Sequence, residues 1–157
     1  MLEIGLIVVG KAKDKALSPA INQYQKMIKP YALLHLFELK SEKFSDSNKI
    51  QAQRMEQQRI MECIASLQKK NKWQPILLTE TGRNNGSPDF ATWLSKIDGT
   101  PLFIIGGALG FDEAFKASFN LKLSLSGLTM PHELARLVLT EQLYRATTIL
   151  NSKSYHY

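Results

Sequence analysis

The densest chemistry in the 157-residue chain lies at its carboxyl end, where Ser154-Tyr155-His156-Tyr157 sets an imidazole between two phenols. An imidazole titrates near neutral pH and can carry a proton, and aromatic rings stack on unpaired nucleobases. Terminal residues are as a rule frayed and inert, so a working tail and a plain chain end both stand as readings. Glu141 and Arg145 are spaced i,i+4 in the order that favours an ion pair on one helix face, and the plain reading of that pair is structural. His132 follows Pro131 at a helix start and is divided between packing and function. His35 falls inside an apolar strand and reads as a satisfied core or surface group.

Two loops could hold a ligand. In the run Phe103 to Phe111, Gly106-Gly107-Ala108-Leu109-Gly110 follows an apolar strand, and adjacent glycines let backbone amides approach a bound group. The spacing is neither G-x-G-x-x-G nor G-x-x-x-x-G-K-[ST], so a Rossmann dinucleotide site and a P-loop are unsupported. A tight strand-to-helix connection without a ligand accounts for this turn equally well. The second loop, Ser124 to Met130, is rich in hydroxyl groups and runs into Pro131, which fixes a helix start and lets the loop amides converge.

Positioning these loops takes alternating strands and helices. Leu2 to Val9 predicts a buried strand ending at Gly10. Ser18-Pro19 predicts a helix start, with serine as N-cap, and Ile21, Tyr24 and Ile28 continue at helical spacing to the stop at Pro30. Tyr31 to Leu39 is a second strand, and an amphipathic helix carrying Ile50, Arg54, Gln57, Met61, Ile64 and Leu67 runs from about Ser47 to Lys70. Pro75 to Thr79 is a third strand, Gly82 to Gly86 a turn-rich loop, and Ser87-Pro88 a second capped helix start. Pro101 to Ile105 is a fourth strand, Asp112 caps a short helix through Lys116, and Leu121 to Leu125 is a fifth strand. Pro131 opens the last helix, which continues to about Leu150. One of its faces carries Ala135, Leu139, Leu143, Ala146 and Leu150, widened by Leu134, Leu137, Val138 and Ile149. Its polar strip includes Glu133, Arg136 and Thr140. A helix apolar nearly all round is buried on two sides, and in so small a domain the second side is assigned to another subunit. The alternation predicts a single α/β domain over residues 1–157, with a mostly parallel sheet flanked by helices and ligands at the carboxyl ends of its strands.

Composition sets the outer bounds. The 44% hydrophobic share supports a core, and no run approaches the length of a membrane span. The amino terminus lacks the pattern of a signal peptide, so a cytoplasmic location is expected. The single cysteine, Cys63, forms no internal disulfide, and no Cys/His cluster suggests a metal. A net charge of +6, with Lys11, Lys13, Lys15 and Lys69, Lys70, Lys72 in clusters, favours an anionic partner such as nucleic acid.

Several segments carry a resemblance in the same order along the chain: Val9-Gly10-Lys11, Ile105-Gly106-Gly107, the loop Leu123 to Thr129 with Pro131-His132, Glu141-Gln142-Leu143-Tyr144-Arg145-Ala146, and Tyr155-His156. Together they resemble the ribosomal large-subunit pseudouridine N3-methyltransferase (RlmH) family of SPOUT methyltransferases. The resemblance implies a homodimer with a carboxyl-terminal trefoil knot. It implies S-adenosylmethionine held by Leu78, Gly106, Leu125, Ser126, Gly127, Leu128, Thr129 and Met130. It further implies methylation of a pseudouridine N3 in large-subunit rRNA within the assembled ribosome, without metal or membrane. On that reading His156 accepts the imide proton or orients a water that does, Tyr155 positions it, and Arg145 binds phosphate or the developing anion. The chain departs from the family's pattern at Thr79-Glu80, Ala108-Leu109 and Ser154. Another SPOUT chemistry, such as ribose 2′-O-methylation, and a non-catalytic ribosome-associated RNA-binding protein remain as alternatives.

Overall fold

The computed structural model describes residues Met1 to Tyr155. Five strands, β1 (Leu2–Val9), β2 (Ala32–Leu39), β3 (Trp73–Arg83), β4 (Thr100–Ile105) and β5 (Leu121–Leu123), form one sheet in the order β2-β1-β4-β3-β5, paired in parallel throughout. Four helices connect them, α1 (Leu17–Ile28), α2 (Lys49–Gln68), α3 (Ser87–Ser95) and α4 (Glu113–Ala117), and α5 (His132–Leu150) follows β5.

The sheet is covered on both faces, as its continuous apolar strands require. Side chains alternate between faces along each strand. Ile4, Leu6, Val8, Phe103 and Ile105 pack with Ile28 of α1, Phe90 and Leu94 of α3, and Leu139 and Leu143 of α5. Ile7, Val9, Leu77, Leu102 and Ile104 pack with Ile60 and Ile64 of α2 and Phe115 of α4. His35 is satisfied by Glu3, 3.2 Å away, and meets the Trp73 ring edge-on.

The expected strand-helix alternation is present, and its local details differ in instructive ways. Ser18 does not cap α1. The Asp14 carboxylate reaches the Ala16 and Leu17 amides at 2.8 and 3.1 Å and starts the helix earlier. Ser87 does not cap α3 either, because its hydroxyl donates to Gln142 of α5 at 2.7 Å. The buried stripe of α2 is Ala52, Glu56, Gln57, Ile60 and Ile64, leaving Ile50 and Met61 exposed. On α5, Arg136 and Thr140 of the polar strip are buried, whereas Leu150 of the apolar face is exposed. Thr140 tolerates burial because its hydroxyl donates to the Arg136 carbonyl at 2.6 Å, and Arg136 faces Glu38 at 3.4 Å. Much of α5 is covered from within the chain, by α1 and α3.

β3 and β5 depart most from expectation. β3 continues to Arg83, through the stretch expected to begin a loop, and β5 stops at Leu123. Both Leu78 and Arg83 lie opposite Leu123, so residues 79–82 swing out of register between them. Gly82 makes this possible: a Cβ there would sit 2.7 Å from backbone atoms of Lys122 and Leu123.

Candidate functional site

The swing of residues 79–82, the glycine turn after β4 and the loop after β5 enclose a cavity of about 750 Å³. It opens at the carboxyl ends of β3, β4 and β5, where parallel sheets present their loops to ligands. Leu78, Gly106, Leu125, Ser126, Leu128, Thr129 and Met130 all line it, whereas Gly127 does not. The walls are mixed: Ile105, Leu123 and Phe111 are apolar, and Glu80, Lys116 and His132 are the ionisable side chains that line it among the described residues.

Each wall has a specific support. The Ser124 hydroxyl, buried, lies 3.1 Å from the Glu80 carbonyl and 3.0 Å from that of Ser126, and its amide donates to Arg83. One side chain thereby ties the loop after β3 to the loop after β5. The Ser126 hydroxyl accepts the Leu128 amide at 3.0 Å and folds the next residues into a turn. We expect Ser124→Ala to cost about 1 kcal/mol in denaturant unfolding and to weaken ligand binding in the cavity severalfold. An unchanged midpoint and affinity would show that the two loops hold without this bond.

The glycine turn rests on neighbouring side chains. A Cβ on Gly106 would meet the Phe111 ring at 2.8 Å, and one on Gly107 would meet Glu56 Oε1 at 3.1 Å and Val9 Cγ1 at 3.2 Å. From α2, Gln53 donates to the Leu109 carbonyl at 3.0 Å, and Gln57 donates to Asp112 and accepts its amide, both at 2.8 Å. Asp112 then caps α4 by accepting the Phe115 amide at 2.7 Å, as expected for that residue. The Gln57 contact, followed by this cap, holds the Asp112 carboxyl below the usual aspartate range. Gln53, Glu56 and Gln57 were not singled out as site residues in the sequence. The available signal was polar side chains on the buried side of an amphipathic helix.

A second cluster lies towards the other end of α5. Arg145 Nε donates to Glu141 Oε1 at 3.1 Å, and the Tyr155 hydroxyl lies 3.3 Å from the same oxygen. The Arg145 guanidinium sits 4.9 Å from the Tyr155 ring centroid, and Tyr144 packs edge-on against that ring at 4.6 Å. Hydrogen bonding with Tyr24, then burial and Glu141, push the Tyr155 phenol above its usual range. It is therefore a hydrogen-bond donor at neutral pH, not a phenolate. His156 lies outside the described residues. Arg145 and Tyr155 do not line the cavity, and Arg145 lies 13 positions beyond His132 on α5, about 20 Å at helical rise.

A sequence model described as predicted SPOUT methyltransferase matches residues 2–156. The chain belongs to the SPOUT methyltransferase family. This SPOUT methyltransferase is 39% identical to the ribosomal RNA large subunit methyltransferase H of Thermodesulfovibrio yellowstonii, over 94% of each chain. It is 37% identical to the protein of that name from Pseudothermotoga lettingae, over 99% of this chain and 100% of that one. Among solved structures it is similar to a probable methylase family protein from Haemophilus influenzae, with a TM-score of 0.54 at 13% identity over 99% of this chain and 70% of that one. It is also similar to the SpoU methyltransferase AviRb of Streptomyces viridochromogenes in complex with AdoMet, with a TM-score of 0.50 at 11% identity over 96% and 58%. At those identities the structural likeness concerns the fold alone.

Proposed function

We propose that this SPOUT methyltransferase uses S-adenosylmethionine to methylate N3 of a pseudouridine in large-subunit rRNA, as a cytoplasmic homodimer acting on the assembled ribosome. The observation that carries the reading is the cavity at the carboxyl ends of β3, β4 and β5, held in a chain whose near full-length relatives are named large-subunit rRNA methyltransferases. Its volume of about 750 Å³ falls within the range of small-molecule sites. Its residues fit the cofactor. Leu78, Leu125, Leu128 and Met130 offer an apolar cleft for a purine, Ser126 and Thr129 offer hydroxyls, and Gly106 adds a wall without a side chain. A carboxyl-terminal trefoil knot, in one domain spanning residues 1–157, belongs to the same proposal.

When bound, the cofactor supplies a sulfonium-activated methyl group, and the displacement needs no metal. Among the described residues there is no group of acidic, histidine or cysteine side chains able to hold a metal ion, and no helix long and apolar enough to cross a membrane. The chain's own tasks are to orient the acceptor and take its proton. We assign proton acceptance to His156, directly or through a water. Tyr155, a hydrogen-bond donor, positions the base or the uracil ring, and Arg145 faces phosphate or the developing imide anion. The separation of about 20 Å along α5 supports a site shared between subunits, with the tail of one over the cavity of the other. The net charge of +6 favours an anionic partner such as rRNA.

Calorimetry with S-adenosylhomocysteine tests the reading, with about one site per chain expected. Nucleoside analysis of ribosomes treated with the enzyme and labelled donor then reads the methylated position. Absence of binding at high protein concentration, with RNA binding retained, would move the function to a non-catalytic RNA-binding protein. A methylated ribose would move it to another SPOUT chemistry.

A further inference from the structure

Beneath the glycine turn lies a carboxyl group that neither the fold nor the proposed methyl transfer has used. Glu56 is only 4% exposed. Its Oε2 accepts the Glu42 amide at 2.9 Å, but among the described residues Oε1 has no hydrogen-bond partner. The Arg59 guanidinium, whose charge reaches Glu56, is engaged elsewhere, in an ion pair with Glu42 and a 3.0 Å bond to the Lys40 carbonyl. Oε1 instead approaches Gly107, 3.1 Å from where a Cβ would stand, and Gly107 lines the cavity. No side chain of residue 107 screens the carboxyl from the cavity. A buried carboxylate with an empty oxygen is costly unless a positive charge compensates it.

We propose that Glu56 is the counter-charge for the cationic centre of the cofactor, so that the cavity distinguishes the sulfonium of S-adenosylmethionine from the neutral thioether of S-adenosylhomocysteine. This rests on the cofactor reading above and adds a specificity-determining residue to it. Glu56 is a positioning and electrostatic residue that acts through the glycine turn. A product lacking the charge binds less tightly than the donor, which favours its release after transfer.

The protonation chemistry follows from the surroundings. Burial raises the Glu56 pKa above the usual glutamate range, against the opposing effects of the Glu42 amide and the Arg59 charge. Glu42 adds repulsion, and His132, at the start of α5 and lining the cavity, lowers the pKa slightly. A bound cation favours the ionised carboxyl, so its binding expels a proton over the range where Glu56 titrates. Affinity for a cationic ligand rises as pH increases through that range, and affinity for the neutral thioether does not.

The test is calorimetry with three probes: S-adenosylmethionine and sinefungin, which carry a positive charge at the reacting position, and S-adenosylhomocysteine, which does not. In the wild-type protein the cationic probes should bind about tenfold more tightly than the thioether, and Glu56→Gln should bring all three within about twofold. Repeating the titrations in buffers of different ionisation enthalpy should show proton release for the cationic probes only. Should Glu56→Gln fail to fold, the combined Glu80→Gln, Lys116→Met and His132→Gln variant decides, because release that persists without the ionisable side chains lining the cavity belongs to Glu56. Equal affinities and equal proton release for all three probes would overturn the inference and leave the cofactor reading intact. Failure of every probe to bind the wild-type protein would remove the cofactor reading itself, and this inference with it.

Discussion

Gly82→Ala is expected to lower unfolding stability by about 3 kcal/mol, a fall of roughly 6–12 °C in Tm for a chain of this size. The added methyl group would lie 2.7 Å from backbone atoms of Lys122 and Leu123, and backbone cannot swing aside as the end of a flexible side chain does. Relief requires β5 to move away from β3. That movement would loosen the Ser124 amide bond to Arg83, 2.8 Å, and the Ser124 hydroxyl contact with the Glu80 carbonyl that shapes the cavity. The variant should therefore also bind S-adenosylhomocysteine more weakly at temperatures where it is fully folded. Gly127→Ala is the control, since a Cβ there meets nothing within 4 Å, and its stability should stay within about 0.5 kcal/mol of wild type. A Gly82→Ala protein melting with the wild type would mean that β3 and β5 are not held this closely.

The same glycine marks where the sequence was hardest to read. Gly82 to Gly86 carries strong turn signals, yet β3 continues to Arg83, because the close approach of β5 favours a residue without a side chain and local propensity carries no information about that neighbour. Long apolar strands and helices were legible, since their periodicity is set within each element. Helix starts were less so. Serine-proline pairs at Ser18 and Ser87 signalled caps, but Asp14 reached the α1 amides first and Ser87 was drawn to Gln142 across the packed α3–α5 pair. Both outcomes depend on contacts outside the local window.

The site was legible in its loops and hidden in its supports. Glycines and hydroxyls following apolar strands marked the cavity walls, because ligand sites of parallel sheets recur at strand ends. The support from α2 was not visible, since Gln53, Glu56 and Gln57 meet the glycine turn only through the fold, 50 or more residues away along the chain. Arg136 is a further case. It stood only as part of a polar strip on an apolar helix, and nothing local shows that its guanidinium is buried against Glu38.

His156→Ala is expected to reduce kcat by about 10²- to 10⁴-fold at saturating substrate while leaving S-adenosylhomocysteine affinity unchanged, if His156 is the proposed proton acceptor. Full kcat in that variant would remove the role. The unchanged affinity follows from the proposed roles, since the cofactor is held by the residues that line the cavity and His156 acts on the acceptor; within one subunit the cavity end at His132 and the Arg145–Tyr155 cluster lie about 20 Å apart along α5 at helical rise. This separation also makes the shared-site proposal quantitative. A folded Gly106→Trp subunit would have a blocked cavity and an intact tail, and a His156→Ala subunit the reverse. Neither homodimer should turn over appreciably. In an equimolar mixture that re-equilibrates, half the dimers are mixed, and each mixed dimer rebuilds one intact site from the cavity of one subunit and the tail of the other. Activity should then recover to about a quarter of the wild-type value. Sites confined to single subunits would leave every site in the mixture damaged, and activity would stay at the level of the separate variants.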